Sequence, residues 1–187
     1  MVTGNAFLAV ARGFALAVVS VVCSALLFSL LITSMALTAV GAGLWTTPWL
    51  VRRIDRYAAH RARLADAWGG VPMSAPALAA GPSRLLPWRY VSWLLADMTA
   101  GCVTAALPLG LVAQGVFGFV LAAGVWEPIH EAGGTQWYAF VPVASQDTAN
   151  LAGALGAVFV VAGLVLARPT LRAHFLLTRG SLGARVA

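Results

Sequence analysis

The sequence predicts an all-α integral membrane protein with four transmembrane helices arranged as two hairpins, both termini cytoplasmic and interfacial helical segments in the cytoplasmic loop. Three observations carry that expectation. Of the 187 residues, 60% are apolar and only 10% charged, with a mean hydropathy of +0.86. The stretches 13–51, 98–126 and 148–167 contain no charged residue at all. All twelve basic residues are arginines, and every one lies outside those stretches. Backbone N–H and C=O groups cannot be left unpaired in lipid, so apolar runs of this length are read as helices.

The first stretch, Gly13 to Val51, would form a helix of roughly 58 Å, about twice the ~30 Å hydrocarbon core. A hairpin resolves the excess, turning near Thr33, Ser34 and Met35, the most polar point close to its middle. Crossings are expected at about 13–33, 35–51, 98–122 and 148–167. They are joined by a cytoplasmic loop at 52–97 and an extracytoplasmic loop at 123–147, and a cytoplasmic exit helix follows at 168–187. At this length the chain is expected to be one membrane domain without a separate soluble catalytic domain.

Orientation follows from charge. With four crossings, Arg12, the cluster Arg52, Arg53, Arg56, Arg61, Arg63, Arg84 and Arg89, and the tail Arg168, Arg172, Arg179 and Arg185 all fall on one face. The opposite loop has no basic residue and carries Glu127, Glu131 and Asp147. Arginine is retained in the cytoplasm, which places the termini inside and the acidic loop outside. A pI near 10.7 is then explained by topology and by attraction to anionic inner-leaflet lipids. Aromatic residues are not interleaved with the arginines in a groove-like pattern, so nucleic acid is not an expected partner. The lysine-free, Ala-, Arg-, Val- and Gly-rich composition points to a GC-rich genome, and the location expected is a bacterial plasma membrane.

Within the cytoplasmic loop, 52–68 spaces Ile54, Tyr57, Ala58, Leu64 and Trp68 among arginines at helical intervals, with Tyr57 and Trp68 as headgroup anchors. Gly69, Gly70 and Pro72 end that helix, and 71–83 reads as a Pro/Ala/Gly linker. Leu85 to Leu95 combines Trp88, Tyr90 and Trp93 in an interfacial segment feeding the third crossing. Asp97 lies at its boundary and is expected to pair with Arg89 or Arg84; the sharper alternative is a functional carboxylate within the membrane.

The crossings offer packing devices rather than chemistry. Gly110, Gln114, Gly115, Gly118 and Ala122 on the third, and Gly153, Gly156, Ala157 and Gly163 on the fourth, give small-xxx-small spacings. These serve either packing within the bundle or a dimer contact through Gly153, Gly156 and Ala157. Pro108 is expected to kink the third helix. Cys23 and Cys102 read as small apolar residues. No histidine falls in a crossing, so no haem or other cofactor is expected.

The extracytoplasmic loop holds the densest set of chemical groups: Trp126, Glu127, His130, Glu131, Trp137, Tyr138 and Asp147. With Pro128 starting a helical turn, Glu127, His130 and Glu131 stand at i, i+3 and i+4, close enough to share a cation or tune the imidazole. The paired-histidine spacing of a zinc protease is absent, and whether a metal binds stays open. The aromatic residues read either as an interface belt or as a ligand cage.

The order of elements resembles the sensor domain at the N-terminus of actinobacterial two-component histidine kinases. The resemblance spans about 13–187 and rests on six features: the apolar hairpin running into VRRIDRYAAHRARLADAWGGVP at 51–72, the Pro/Ala linker, the entry PWRYVSWLL at 87–95, the PLG of Pro108 to Gly110, a second apolar hairpin, and the exit ARPTLRAHFLLTRGSLGARVA. It implies a non-catalytic module that passes an extracytoplasmic or in-membrane stimulus through Arg168 and Arg172 to a cytoplasmic kinase domain, in cis or on a partner protein, and works as a homodimer. No phosphoacceptor helix or ATP-binding glycine box falls within the 187 residues. A small non-catalytic membrane subunit that scaffolds a transporter or enzyme complex is the alternative. An intramembrane enzyme ranks behind both, because paired catalytic groups at membrane depth are lacking.

Overall fold

A computed structural model describes residues 2–73 and 86–182. Most of the expected linker, together with Arg84 and Arg185, lies outside the described residues. The described chain is predominantly helical. Helix α1 (Val2–Val19) passes through a π turn at Ser20–Ser24 into α2 (Ala25–Ala36) and a short 3₁₀ turn. Helix α3 (Gly43–Gly69) follows, then α4 (Leu86–Ala96), a π turn at Asp97–Gly101 and α5 (Cys102–Val120). A third π turn at Leu121–Val125 leads to α6 (Trp126–Glu131), a two-stranded hairpin of β1 (Gln136–Tyr138) and β2 (Val141–Val143), and α7 (Gln146–Leu182).

Among the described residues, three helices are long and apolar enough to cross a membrane, Asn5–Val40, Trp88–Glu131 and Gln146–Leu182. Only 28% of the most apolar window of each is buried, so most of its side chains face outward, as lipid-facing helices do. The protein is membrane-embedded and all-α apart from the hairpin.

The expected turn at Thr33, Ser34 and Met35 is corrected. The chain stays helical through Ala36 and turns at Gly41, whose φ of 83° is a left-handed conformation that glycine adopts without steric cost. Two features make the later turn tolerable. Ser34 does not break the helix because its Oγ hydrogen-bonds to the hydroxyls of Thr46 (2.5 Å) and Thr47 (2.8 Å) across the hairpin. Gly43 lets the returning arm close, since a Cβ there would run into the Ser34 carbonyl. The second crossing expected at 35–51 changes with it: residues 35–40 complete the first helix, and Gly43 to Val51 provides about 14 Å of apolar helix before Arg52, short of a ~30 Å core.

The chain divides into two compact units. One comprises Met1–Ala11 and Leu107–Ala167 and contains no arginine; the other comprises Arg12–Ala106 and Arg168–Ala187 and contains all twelve.

In the arginine-free unit α5 and α7 run antiparallel in close contact. A Cβ on Gly156 would stand 2.6 Å from the Gly115 carbonyl oxygen, one on Gly115 2.5 Å from that of Gly156, and one on Gly163 2.8 Å from that of Pro108. Gly153 faces Ala122. Glycine at these places allows backbone-to-backbone approach. Gly110 meets nothing within 4 Å and takes no part, while Ala157 is exposed. α-helical structure continues through Pro108, and the irregular turns fall elsewhere, with the helix axis breaking at Gly124 (φ 104°). The hairpin closes the unit: Leu121, Tyr138, Val143, Ala149 and Ala152 form its core.

In the arginine-bearing unit α3 returns antiparallel along the first helix. Leu31 packs with Ile54 and Ala58, and Leu16 and Ala17 pack with Ala65, Ala105, Leu171 and Phe175. Helix α3 ends at Gly69, with Gly70 left-handed (φ 58°) and the Val71 N–H returning to the Ala65 carbonyl, a glycine C-terminal cap. Helix α4 packs inward. Tyr90 and Trp93 are fully buried against α2 and α3, and Trp88 alone of the three aromatics is exposed. Trp68 is covered by Arg12, whose guanidinium lies 5.3 Å from its ring centroid.

Candidate functional site

The two π turns of the arginine-bearing unit face each other and bring three of its buried polar side chains, Ser20, Ser24 and Asp97, together. Ser20 and Ser24 come from the first, and Asp97 and Gly101 from the second. A π turn inserts one residue into the helix and rotates the following side chains out of the 3.6-residue phase, a feature frequent at functional sites. Helix α3 adds Tyr57 and Arg61, one turn apart, and α7 adds His174.

Asp97 pairs with Arg61, where the sequence expectation named Arg89 or Arg84, the latter outside the described residues. Arg61 Nη2 stands 2.7 Å from Asp97 Oδ2, with both side chains essentially inaccessible. The same oxygen accepts from Ser24 Oγ at 2.6 Å and from Tyr57 Oη at 3.3 Å. Arg61 also donates through Nη2 to Ser20 Oγ and through Nε to Tyr57 Oη (3.1 Å). Burial pushes the Tyr57 phenol up to about 12, so it keeps its proton and can donate at neutral pH. Its ring stacks at a tilt on Trp93, with centroids 5.5 Å apart. The alternative weighed for Asp97, a carboxylate inside the protein rather than at the water boundary, is the one this geometry matches.

The other carboxylate oxygen is treated differently. Asp97 Oδ1 has no hydrogen-bond partner among the described residues, and neither do His174 Nε2, Trp93 Nε1 and Arg61 Nη1. His174 Nδ1 donates to the Gly101 carbonyl at 2.9 Å, which leaves Nε2 directed at Asp97 Oδ1 across 3.8 Å. Gly101 makes the approach possible, because a Cβ there would lie 3.2 Å from Asp97 Oδ1 and 3.3 Å from His174 Cε1. Beside this centre is a cavity of about 600 Å³, lined by Trp93, Asp97 and Gly101 together with small and apolar residues of α4 and α7. His174 and Ser20 carry no periodic signal in the sequence. Arg61 and Tyr57 do show helical spacing, but nothing in that spacing separates them from the exposed arginines around them.

The residues expected to sense a ligand lie in the arginine-free unit and form no comparable centre. Glu127, His130 and Glu131 sit on the six-residue α6 as the spacing requires, all exposed. Trp126 is half-buried; its Nε1 donates to Gln146 Oε1 (3.2 Å) and its ring lies 6.1 Å from that of His130. Asp147 is exposed in the first turn of α7, where the helix dipole favours a carboxylate. Trp137 is 60% exposed while Tyr138 is fully buried, the alternation of a strand. Tyr138 is therefore removed from the accessible set: its hydroxyl donates to the Gln114 carbonyl (2.8 Å) and its ring packs between Phe117 and Phe159. Among the described residues no group of three or more His, Cys, Asp or Glu side chains is placed to hold a metal ion. Gly153 and Gly156 are used within the chain, and Arg168 and Arg172 are exposed on α7.

Comparison with models of known protein families, with curated proteins and with solved structures found no match.

Proposed function

We propose that the chain is a membrane sensor module that passes a stimulus through α7 to a cytoplasmic output of the histidine-kinase type, acting as a homodimer in a bacterial plasma membrane. One observation carries the reading most directly. The helix that bears the exit residues Arg168 and Arg172 also supplies His174 to the buried centre and lines the cavity beside it. A change in protonation, hydration or occupancy there alters what α7 packs against. A ligand shifts such an equilibrium only by its differential affinity for the two positions of α7.

The topology that belongs with this reading has two hairpins and both termini cytoplasmic. It rests on the charge pattern, all twelve arginines lying outside the apolar runs and outside the acidic loop. Reporter fusions after Ala187 and within 130–136 are expected to read inside and outside, respectively. An external C-terminus would remove the topology. The dimer rests on the kinase output, which needs two chains, and its contact would use the outward face of α7 around Ala157, Val158 and Val161 rather than the glycines already engaged with α5.

The functional test joins the chain after Ala187 to a cytoplasmic histidine-kinase core and follows autophosphorylation in proteoliposomes across pH and divalent-cation concentration. Gly101→Ala, which crowds His174 and Asp97, is expected to change output by about 5-fold or more, the lower end of ordinary allosteric coupling. His130→Ala with Glu131→Ala reports whether the stimulus is extracytoplasmic. Output unchanged by every variant would favour the scaffolding subunit instead.

A further inference from the structure

We propose that the β1–β2 hairpin is a lipid-inserted element, folded back along the apolar helices α5 and α7 so that Trp137, Phe140 and Pro142 lie in the acyl–headgroup boundary of one leaflet. The contact with lipid rests on the apolar helices alone; that the leaflet is the extracytoplasmic one rests on the proposed topology.

The depth of the hairpin follows from its partners. Gln146 Nε2 donates to the Ala122 carbonyl at 3.0 Å, which sets the first residue of α7 level with Ala122 of α5. Val143, three residues before that level, shares a core with Leu121, Ala149 and Ala152. Tyr138, paired with Val141 at the turn end of the ladder, reaches further in. Its hydroxyl donates to the Gln114 carbonyl and covers Gly118, where a Cβ would stand 2.7 Å from it. Gly118 and Gln114 lie about 6 and 12 Å along α5 from Ala122, toward the middle of the uncharged stretch 98–126. The contacts descend into the apolar layer as the chain approaches the turn, so the hairpin lies beside the apolar helices rather than above their ends.

Its side chains suit that place. Where one face of an antiparallel pair meets water, strands alternate apolar inward with polar outward. Here Tyr138, Val141 and Val143 are buried, and the outward positions are Trp137 (60% exposed), Phe140 (76%) and Pro142. That outward face offers no polar side chain. The turn is equally unlike one built for water: Ala139 takes φ 52°, a left-handed conformation that two-residue turns usually give to Asn, Asp or Gly, and Phe140 follows it.

An open strand edge is the obstacle to burial in lipid, because each unpaired backbone group is costly there. Proline cannot donate, so Trp137 and Pro142 form the non-hydrogen-bonded pair, whose backbone groups point outward. Pro142 brings no N–H to that edge, and the Trp137 carbonyl accepts from Gln136 Nε2 at 3.2 Å. The Trp137 N–H and the Pro142 carbonyl are left for water and lipid esters. Both are found at the boundary, where indole rings also collect, and this sets the hairpin there rather than at the bilayer centre.

Lipid suits this face better than a second protein. Phe117, in ring contact with Tyr138, is itself partly exposed on α5, so the aromatic face continues the outward surface of that helix. Three side chains fall far short of the roughly 20–30 residues a side that a stable protein interface uses.

The test uses the full chain in phosphatidylcholine nanodiscs, with Cys23 and Cys102 replaced by alanine and a nitroxide spin label on Phe140→Cys or, for reference, on Glu131→Cys of the exposed α6. Oxygen concentrates in lipid and a nickel chelate in water. The label at 140 is expected to relax mainly with oxygen and that at 131 mainly with the chelate, a reversal of the accessibility ratio. Labelling removes the aromatic ring, so a second measurement keeps it: lipid brominated near the glycerol end of its acyl chains should quench wild-type tryptophan fluorescence more than that of Trp137→Phe. Moving the bromines to the chain ends should shrink the excess. Chelate access at 140 equal to that at 131 would put the hairpin in water, and access by neither reagent would put it against protein. Quenching unchanged by Trp137→Phe would take Trp137 out of lipid. Each of these would overturn the proposal, whereas a reporter within 130–136 that reads inside would overturn the choice of leaflet alone.

Discussion

Replacing Asp97 with alanine is expected to destabilise the protein by about 3–5 kcal/mol, the usual consequence of leaving one member of a buried ion pair alone. Arg61 lies 2.7 Å from the carboxylate with no exposed surface, and a guanidinium cannot discard its charge. Arg61→Met should cost less, because an isolated carboxyl can take up a proton and remain buried as a neutral acid. Combining Arg61→Met with Asp97→Leu should recover most of the loss, since well-packed apolar replacements of a buried pair are often neutral. Thermal unfolding in detergent, followed by tryptophan fluorescence, measures all three. At roughly 2–4 °C per kcal/mol for a chain of this size, Asp97→Ala should melt about 6–20 °C below wild type. A single variant melting with wild type, or a double variant no better than the worse single, would show that the pair does not hold these helices together.

The second large effect is expected at the α5–α7 crossing. Gly156→Leu and Gly115→Leu each drive a side chain into the backbone of the facing helix, where a Cβ alone would stand 2.6 Å and 2.5 Å from a carbonyl oxygen. A backbone cannot swing aside as a side-chain end can, so the helices must separate and lose contact along their length. The cost is about 1–3 kcal/mol or more per site. Gly110→Ala on the same face of the argument is the contrast, because its Cβ meets nothing within 4 Å. It should be neutral or stabilising by up to about 1 kcal/mol through helix propensity. Melting curves of the three variants settle the matter: equal shifts at 110 and 156 would mean that the crossing is not the close contact described.

Much of the architecture was legible from composition. Apolar runs longer than a bilayer is thick dictate helices, and the segregation of arginine from those runs anticipated the separation into an arginine-free and an arginine-bearing unit. Gly69, Gly70 and Pro72 fixed the end of α3, because few other residues permit the left-handed cap observed at Gly70. The i, i+3, i+4 spacing of Glu127, His130 and Glu131 was a property of a local helical turn, and α6 provides it.

Tertiary structure decided the rest. The turn moved to Gly41 because Ser34 finds hydroxyl partners twelve and thirteen positions away, a satisfaction invisible to local polarity. Tyr138 turned inward because it sits on a strand where a loop was expected, and strand alternation assigns sides that loop composition does not. Asp97 found Arg61 at a separation of 36 positions, and Gly101 found His174 at 73. Helical periodicity states which residues share a face of one helix, never which other helix that face meets. The π turns at 20–24 and 97–101 then shift the phase by a residue and direct Ser20, Ser24 and Asp97 into a common interior. The sequence by itself thus determined that this chain is helical, apolar and asymmetric in charge. Where the buried Arg61–Asp97 pair lies depended on which helices meet, because an ion pair, unlike a hydrophobic stripe, has no period to announce it.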